Sequence, residues 1–195
     1  MSDGPIRTFV GIFPPPDVVT ALADGLAPLR GATRGLKWVR PDNLHYTVRF
    51  LGALAPARVE AARRAVLAAA APASPFRVRL GGPGAFPGPE RARVLWLGAA
   101  EGASPLAHLA GDVERALVRQ GFEPADRPFT PHLTVARVGE VPRREDPALQ
   151  SFLASAPFPL EFEVRELLLV ASTLAPGGSR YEPIERAVLG GAVGR

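Results

Sequence analysis

Two short segments of one pattern, His45-Tyr46-Thr47-Val48 and His132-Leu133-Thr134-Val135, indicate how this chain folds and where its chemistry lies. Each sets a His-x-Thr step in a run of apolar and β-branched residues, which is typical of a β-strand. Because successive side chains of a strand point to opposite faces, each histidine should share a face with the threonine that follows it. Apolar side chains of the first segment should point to the other face: Leu44, Tyr46, Val48 and Phe50. The chain has three histidines, so two of them lie in the same kind of strand.

The composition is that of a globular protein with an anionic partner. The chain has 195 residues, of which 47% are hydrophobic, enough to bury one core, and we expect a single domain over 1–195. The absence of cysteine excludes disulfides, thiolate catalysis and cysteine-based zinc sites. The net charge of +4 and the pI near 10.5 favour an anionic partner such as nucleic acid, although proteins that bind none also carry such a charge.

Neither a membrane span nor a secretory signal is predicted. No segment approaches the roughly 18 apolar residues of a membrane span. The opening Met1-Ser2-Asp3-Gly4-Pro5 lacks the basic start of a signal peptide. We therefore expect a cytoplasmic monomer that does not associate with a membrane.

Hydrophobic periodicity predicts a mixed α+β protein with the order β-α-β-β-α-β-β-α-β-α-β-β-β. The predicted helices cover 17–29, 56–70, 104–120 and 146–154. The predicted strands cover 7–13, 36–39, 44–52, 76–80, 93–97, 129–138, 160–164, 167–172 and 181–188. A loop is expected at 81–88, where glycine and proline are dense, and a turn at 177–179.

The paired His-x-Thr steps suit displacement at phosphorus. An imidazole has an unperturbed pKa near ~6.5, so one histidine can be neutral while another is protonated at the same pH. In-line displacement needs the base and the acid on opposite sides of the phosphate, hence on separate strands. The threonine hydroxyls would donate hydrogen bonds to the non-bridging oxygens. A ribose cyclic phosphate can be opened in this way without a metal, and the residues alone do not distinguish the acid from the base.

Two arginines near the motifs are candidate phosphate ligands. Arg49 has the same parity as His45 in a regular strand, and an ordinary position at the edge of a cleft is the alternative. Arg137 and His132 are an odd number of residues apart, so in a regular strand their side chains point to opposite faces. Arg137 reaches the face of His132 only if a bulge intervenes.

Other polar and aromatic residues are candidates for contacts with RNA or a metal. Arg91 and Arg93 would track phosphates at the mouth of a cleft, or be solvated charges. Tyr181 would stack on a base, or belong to the core. His108 and Asp112 have a helical spacing that suits a metal, but no third ligand is indicated, so we expect no metal site.

The chain resembles the 2H phosphoesterase superfamily, and within it the RNA 2′,3′-cyclic phosphodiesterases, also called 2′-5′ RNA ligases. The similarity runs in order from about 7 to 189. It rests on an opening strand, two motif blocks, a central loop with its strand, and residues of a closing pair of strands. These are, in that order, 7–12, 43–52 and 129–137, Phe86-Pro87 with 91–96, and Ser172 with Tyr181. Tyr46 and Val48 stand where leucine is commoner in the family.

The resemblance implies a bilobal fold, with two antiparallel-rich sheets flanked by helices around a central cleft and one motif in each lobe. The implied activity is hydrolysis of RNA 2′,3′-cyclic phosphate ends to 2′-phosphates without a cofactor, together with 2′-5′ joining of RNA ends in some members. His45 would be the proton donor and His132 the proton acceptor. Thr47 and Thr134 would bind the phosphate, together with the arginines of the two blocks. The implied partner is RNA ending in a cyclic phosphate, for example a tRNA fragment.

Two alternatives stay open at this stage. The substrate is either an RNA end or a small cyclic phosphate, such as a cyclic nucleotide or an ADP-ribose cyclic phosphate. A protein that binds RNA ends without catalysis is the other alternative, and the intact histidines and threonines of both motifs argue against it.

Overall fold

The computed structural model describes residues 4–32, 35–139, 147–155, 158–176 and 178–190. Within these ranges nine strands and four α-helices follow one another in the predicted order. The strands are β1 (Ile6–Ile12), β2 (Leu36–Trp38), β3 (Tyr46–Leu54), β4 (Phe76–Phe86), β5 (Val94–Glu101), β6 (Leu133–Val138), β7 (Glu161–Val164), β8 (Glu166–Ala175) and β9 (Gly178–Val188). The helices are α1 (Pro16–Ala32), α2 (Pro56–Ala70), α3 (Ala103–Arg119) and α4 (Pro147–Leu153). Residue 146 of the predicted fourth helix and residue 177 of the predicted turn lie outside the described ranges.

The strands form one antiparallel sheet in the order β7-β4-β5-β6-β3-β1-β8-β9, with β2 beside β6. In the part of the chain that the structure describes, β3 and β6 share the single pair Tyr46 and Leu133. The sheet therefore has two halves that meet at this pair. The first half contains β3, β1, β8 and β9, and the second contains β6, β2, β5, β4 and β7. The two sheets expected from the resemblance are these two halves of one continuous sheet.

All four helices contribute to one core that covers the back face of the sheet. Apolar residues of α3 recur at helical spacing and are buried: Leu106, Leu109, Val113 and Leu117. The buried face of α2 consists mainly of alanine, so α2 can approach the sheet and α3 closely. Removal of this apolar surface from water is the main stabilising contribution to such a fold. The opposite face of the sheet, which we call the front face, carries both histidines.

The loop predicted at 81–88 is wrong over most of its length, because β4 continues to Phe86. The glycines of this segment leave room for side chains of the neighbouring strand. A Cβ atom on Gly84 would lie only 2.3 Å from the ring of Trp96, its partner residue on β5. Gly84 therefore allows the indole ring to lie over β4. A register shift between Leu80 and Pro83 accommodates the proline, which cannot donate to the ladder.

Two bulges in β3 change which side chains face the front. Val10 pairs with Arg49 while Gly11 pairs with Thr47, so Val48 is an extra residue. A second shift makes Leu51 an extra residue. Leu44, Tyr46 and Val48 are buried as predicted. Phe50 is 65% exposed, so its predicted place on the back face is wrong, since each bulge reverses the alternation of side chains.

Across the ranges that the structure describes, every helix is too short or too polar to cross a membrane.

Candidate active site

The single pair that joins the two halves of the sheet sets the geometry of the site. Because Tyr46 lies opposite Leu133, antiparallel register places His45 opposite Thr134 and Thr47 opposite His132. The two histidines are then diagonal neighbours, which in a sheet lie about 7–8 Å apart. Each histidine therefore has the other motif's threonine across from it.

The two histidines are held by the same local contact. His45 Nδ1 is 2.7 Å from the carbonyl oxygen of Asn43, and His132 Nδ1 is 2.8 Å from that of Thr130. A carbonyl oxygen only accepts, so Nδ1 carries the hydrogen in both rings and Nε2 is the reactive nitrogen. The Nε2 of His45 is 2.9 Å from the hydroxyl oxygen of Thr47.

Asn43 contacts the candidate site through two hydrogen bonds, and sequence analysis did not single it out. Its Nδ2 donates to the carbonyl oxygen of Ser179 at 2.7 Å, so the turn before the first motif is fixed to β9. The same residue supplies the carbonyl that orients His45. The Pro41-Asp42-Asn43 segment is a turn signal in the sequence, but the contact to β9 spans 136 positions and has no local signal.

Aromatic rings enclose the imidazole of His45. The ring centroids of Phe9, Phe13 and Tyr181 lie 4.8, 5.0 and 5.3 Å from that of His45. A Cβ on Gly11 would lie 3.0 Å from the Phe9 ring, so this glycine leaves room for the two phenylalanine rings. Phe9 is buried in a small apolar cluster of its own on this face of the sheet. Tyr181, a predicted RNA contact, is thus beside the catalytic candidate.

Enclosure lowers the basicity of His45. Burial is the largest cause that moves its pKa from 6.5 to about 4, and electrostatic interactions with His132 and Arg137 contribute in the same direction. The hydrogen bond to Asn43 acts in the opposite direction. His45 is therefore neutral at pH 7 in the free protein, and its Nε2 accepts the hydrogen of the Thr47 hydroxyl.

The second histidine lies in a more open setting beside two other rings. His132 has the ring of Phe86 edge-on at 5.0 Å and the ring of Trp96 at 6.4 Å. Trp96 is the partner of Thr134 across β5 and β6, so it lies on the front face of the sheet. Each motif histidine is therefore bordered by its own set of aromatic rings.

A bulge brings Arg137 to the front face. Leu95 pairs with Ala136 while Trp96 pairs with Thr134, so Val135 is an extra residue in β6. Val135 and Ala136 are both buried, and Arg137 is exposed. The bulge that its predicted phosphate-binding role requires is thus present. The charge of Arg137 also contributes to the lowered pKa of His45.

Arg49 lies on the face opposite His45, not on the face that regular alternation predicts, and its contact with a phosphate stays a prediction. Its Nε lies 3.0 Å from Glu114 Oε2 on α3, and its Nη2 donates to the carbonyl oxygen of Glu123 at 2.7 Å. The extra residue Val48 turns Arg49 toward the helices. Glu114 also accepts from the backbone of Ala125 at 2.7 Å, so these contacts fix the segment that leads into the second motif.

Further candidates are at the periphery of the site. Arg91 and Arg93 are exposed around the start of β5, and their contact with RNA stays a prediction. His108 is exposed on α3. Within the described ranges no group of three or more His, Cys, Asp or Glu side chains is arranged to hold a metal ion.

A groove opens beside the site where β3 and β6 separate. It has a volume of about 960 Å³ and reaches from Thr47 and His132 to Glu114 on α3. Its walls are the β3 residues from Thr47 to Phe50 and the segment 124–130. The groove gives room for a group larger than a phosphate next to the second motif.

Comparisons with known proteins agree with this architecture. The sequence model of the 2′-5′ RNA ligase superfamily matches residues 14–174. An RNA 2′,3′-cyclic phosphodiesterase from Aquifex aeolicus is 33% identical over 187 residues, which are 95% of this chain and 98% of that protein. The solved structure of TT0787 from Thermus thermophilus is 32% identical with a TM-score of 0.79, and the match covers 96% of this chain and 100% of that one.

A structure of LigT from Escherichia coli complexed with 3′-AMP is also similar. It has a TM-score of 0.75 at 28% identity, and the match covers 95% of this chain and 98% of that one. The resemblance found in the motifs is therefore confirmed over nearly the whole chain. This protein belongs to the 2′-5′ RNA ligase superfamily.

Proposed function

We propose that this protein hydrolyses the 2′,3′-cyclic phosphate at the end of an RNA to a 2′-phosphate, with His45 and His132 as acid and base. The observation that carries this proposal is the diagonal placement of the two imidazoles around the Tyr46 and Leu133 pair. Both rings keep Nδ1 on a backbone carbonyl, which leaves Nε2 as the reactive nitrogen of each ring. The relative from Aquifex aeolicus, named as an enzyme of this activity, supports the choice of substrate.

In the proposed reaction, His132 Nε2 accepts a proton from water as the water oxygen bonds to phosphorus. The bond from phosphorus to the ribose 3′ oxygen breaks, and His45 Nε2 gives its proton to that oxygen. The products are a 2′-phosphate and a 3′-hydroxyl. Hydroxyls of Thr47 and Thr134 donate to the non-bridging oxygens, where negative charge grows in the transition state.

The donor role of His45 requires that it gain a proton when substrate binds. The free imidazole is neutral because burial lowers its pKa to about 4. A cyclic phosphate brings a negative charge beside the ring, which favours the protonated form. Arg137 would bind the same anion and offset its own unfavourable effect on His45.

Binding of a phosphodiester should therefore weaken as pH rises. The His45 pKa is about 4 in the free protein and higher in the complex. Between these two pKa values, affinity falls by up to about tenfold for each unit by which the pH rises, because formation of the complex then takes up a proton. Below both values the ring is protonated in both states, and above both it is neutral in both, so this contribution to the pH dependence disappears.

Titration calorimetry with 2′-5′-linked diuridine, whose phosphodiester does not titrate in this range, measures the effect. Repeating each titration in two buffers of different ionisation enthalpy gives the number of protons taken up. The His45→Asn variant should lose the proton uptake. An affinity of the wild-type protein that stays constant from pH 4 to 8 would contradict the proposed protonation.

Joining of RNA ends is the second part of the proposal. A 5′-hydroxyl in place of water would attack the same phosphorus and give a 2′-5′ linkage, with the same two proton transfers. The groove beside His132 supports this reaction, since it offers room for the nucleoside that carries the attacking hydroxyl. Incubation of a cyclic-phosphate end with an excess of a 5′-hydroxyl oligonucleotide tests it.

The direct test is hydrolysis of an oligonucleotide that ends in a 2′,3′-cyclic phosphate, with EDTA present. We expect a product heavier by one water, whose phosphate is at the 2′ position. A 3′-phosphate product would overturn the assignment of the leaving oxygen. Loss of turnover in EDTA that returns with a metal ion would overturn the metal-free mechanism.

A small cyclic nucleotide is the second candidate substrate. The complex of Escherichia coli LigT with 3′-AMP favours it, since that protein binds a single nucleotide. Uridine 2′,3′-cyclic phosphate, assayed under the same conditions, gives the comparison. Binding of RNA ends with no turnover of any cyclic phosphate would instead favour a binding protein without catalysis.

The remaining parts of the proposal concern the state of the protein. We propose that residues 1–195 act as a single bilobal domain, as a monomer in the cytoplasm, on ends such as those of cleaved tRNA. The sheet that runs through both halves supports the single domain. Sedimentation equilibrium of the full chain tests the monomer.

A further inference from the structure

A short row of front-face residues crosses three strands at the end of the site. Arg137 of β6 pairs with Lys37 of β2 on one side and with Val94 of β5 on the other. Directly paired residues of an antiparallel ladder project from the same face. Since Arg137 faces the front, Lys37 does so as well.

Both cations of this row are available to an anion. Lys37 and Arg137 are exposed, and no carboxylate in the described residues forms an ion pair with either. A Cβ atom on Gly139 would lie 3.4 Å from Lys37 Cε, so the lysine stem passes over the residues that follow β6. The ammonium group therefore lies beyond Arg137 as seen from Thr134.

The row begins close to the reacting phosphate and leads away from it. Arg137 is three residues beyond Thr134, about 10 Å in a regular strand and less across the bulge. Lys37 is on the adjacent strand, about 4.8 Å further across the sheet. An RNA end carries its next negative charge one nucleotide away, on the phosphodiester at the 5′ side of the terminal ribose. The two cations lie along such a path.

We propose that Lys37 binds the phosphodiester on the 5′ side of the terminal nucleotide, with Arg137 between it and the cyclic phosphate. This inference rests on the proposed function and specifies its substrate. It makes Lys37 a specificity residue that favours an RNA chain over a mononucleotide. Lys37 is the only lysine of the chain, so its chemistry can be followed separately from that of every other side chain.

The kinetic test compares two substrates that differ in this phosphodiester. They are uridylyl-(3′-5′)-uridine 2′,3′-cyclic phosphate and uridine 2′,3′-cyclic phosphate. In Lys37→Gln the ratio of kcat/KM for the dinucleotide to that for the mononucleotide should fall about two- to fivefold, the upper part of the range of one exposed ion pair. Lys37→Arg should keep most of the ratio, because it keeps the charge.

Salt dependence gives a second readout, and an exposed arginine gives the control. Loss of one phosphate contact should reduce the slope of log kcat/KM against log salt for the dinucleotide by about 0.7. Arg119→Gln removes an exposed charge at the end of α3 and should leave both the ratio and the slope unchanged. An unchanged ratio in Lys37→Gln, or an equal fall in Arg119→Gln, would overturn the proposal.

Chemical modification tests the contact without turnover. Reductive methylation labels Lys37 and the terminal amine, and peptide mass spectrometry separates the two. An oligouridylate ending in a 3′-phosphate should protect Lys37 at least about threefold more than uridine 3′-phosphate does. If neither cyclic substrate is turned over, the proposed function fails while this protection still decides the contact. Equal labelling with both ligands would overturn it.

Discussion

Replacing either motif histidine by alanine should lower kcat by about 10²–10⁴-fold, the contribution typical of a positioned acid or base. In the proposed reaction each motif histidine supplies the Nε2 atom that transfers a proton on one side of the phosphate, and His45→Ala or His132→Ala removes one of these atoms. The double variant should be little slower than the slower single variant, because residues that act as a unit are not additive. Rates with an oligonucleotide cyclic phosphate, measured under saturation, give these values.

The third histidine supplies a matched control. His108 is exposed on α3, so His108→Ala should keep the wild-type rate. Circular dichroism and the thermal midpoint of each variant show whether the fold is retained. Near-normal rates in both single variants of the motif histidines would rule out the two-histidine mechanism.

The same variants distinguish the acid from the base. A substrate with sulfur in place of the bridging 3′ oxygen releases a thiolate, whose pKa is near that of a cysteine thiol at about 8.5, so it depends less on a proton donor. It should restore much of the rate in His45→Ala and little in His132→Ala. Recovery in the opposite variant would exchange the two roles.

The second large effect is expected from the threonines. Replacement of Thr47 or Thr134 by valine keeps the shape and removes the hydroxyl. Each change should lower kcat by about 10²–10³-fold, as for one lost donor to a developing negative charge. Serine at either position keeps the donor and should retain most of the activity.

The two threonine variants should differ in their pH profiles. The Thr47 hydroxyl is hydrogen-bonded to His45 Nε2, so Thr47→Val removes a donor to the neutral ring and should raise the pKa of His45. Thr134→Val should leave that pKa unchanged. The Thr173→Val variant, at an exposed position of β8, is the control for a lost surface hydroxyl. Rates within about threefold of wild type in both motif variants would exclude phosphate binding by these groups.

The regular periodicity of apolar residues was sufficient to predict which helices and strands occur and in which order. The order of strands and helices, and the boundaries 56–70 of α2, agree with the structure. The face shared by His45 and Thr47 is also confirmed by their hydrogen bond. These features depend on local alternation, which the sequence displays directly.

The bulges could not be predicted from the same alternation. An extra residue at Val48 turned Arg49 to the helix side, and one at Val135 turned Arg137 to the front. A bulge is decided by how two strands fit together across the ladder. The sequence of a single strand does not reveal a bulge, so the alternation of side chains along β3 predicted the wrong face for Arg49 and Phe50.

The other features that sequence analysis did not predict depend on contacts between segments that are far apart in the chain. The glycines of β4 looked like a loop because the ring that needs their space, Trp96, comes from another strand. The carbonyl that orients His45 is fixed through Asn43 to Ser179. The rings that enclose His45, and so lower its pKa, include Phe9 and Tyr181. None of these relations has a signal within a sequence window.

The order of strands also has a consequence for how the protein is made. β1 lies between β3 and β8, and β8 pairs along its length with β9. The half of the sheet that holds His45 therefore needs both ends of the chain, whereas β4 to β7 complete the other half. A growing chain contains both motifs once residue 135 has been added, but the contacts around His45 also require Ser179 and Tyr181. Since such non-local pairing is slow to form, the candidate active site should be among the last features to be completed during synthesis.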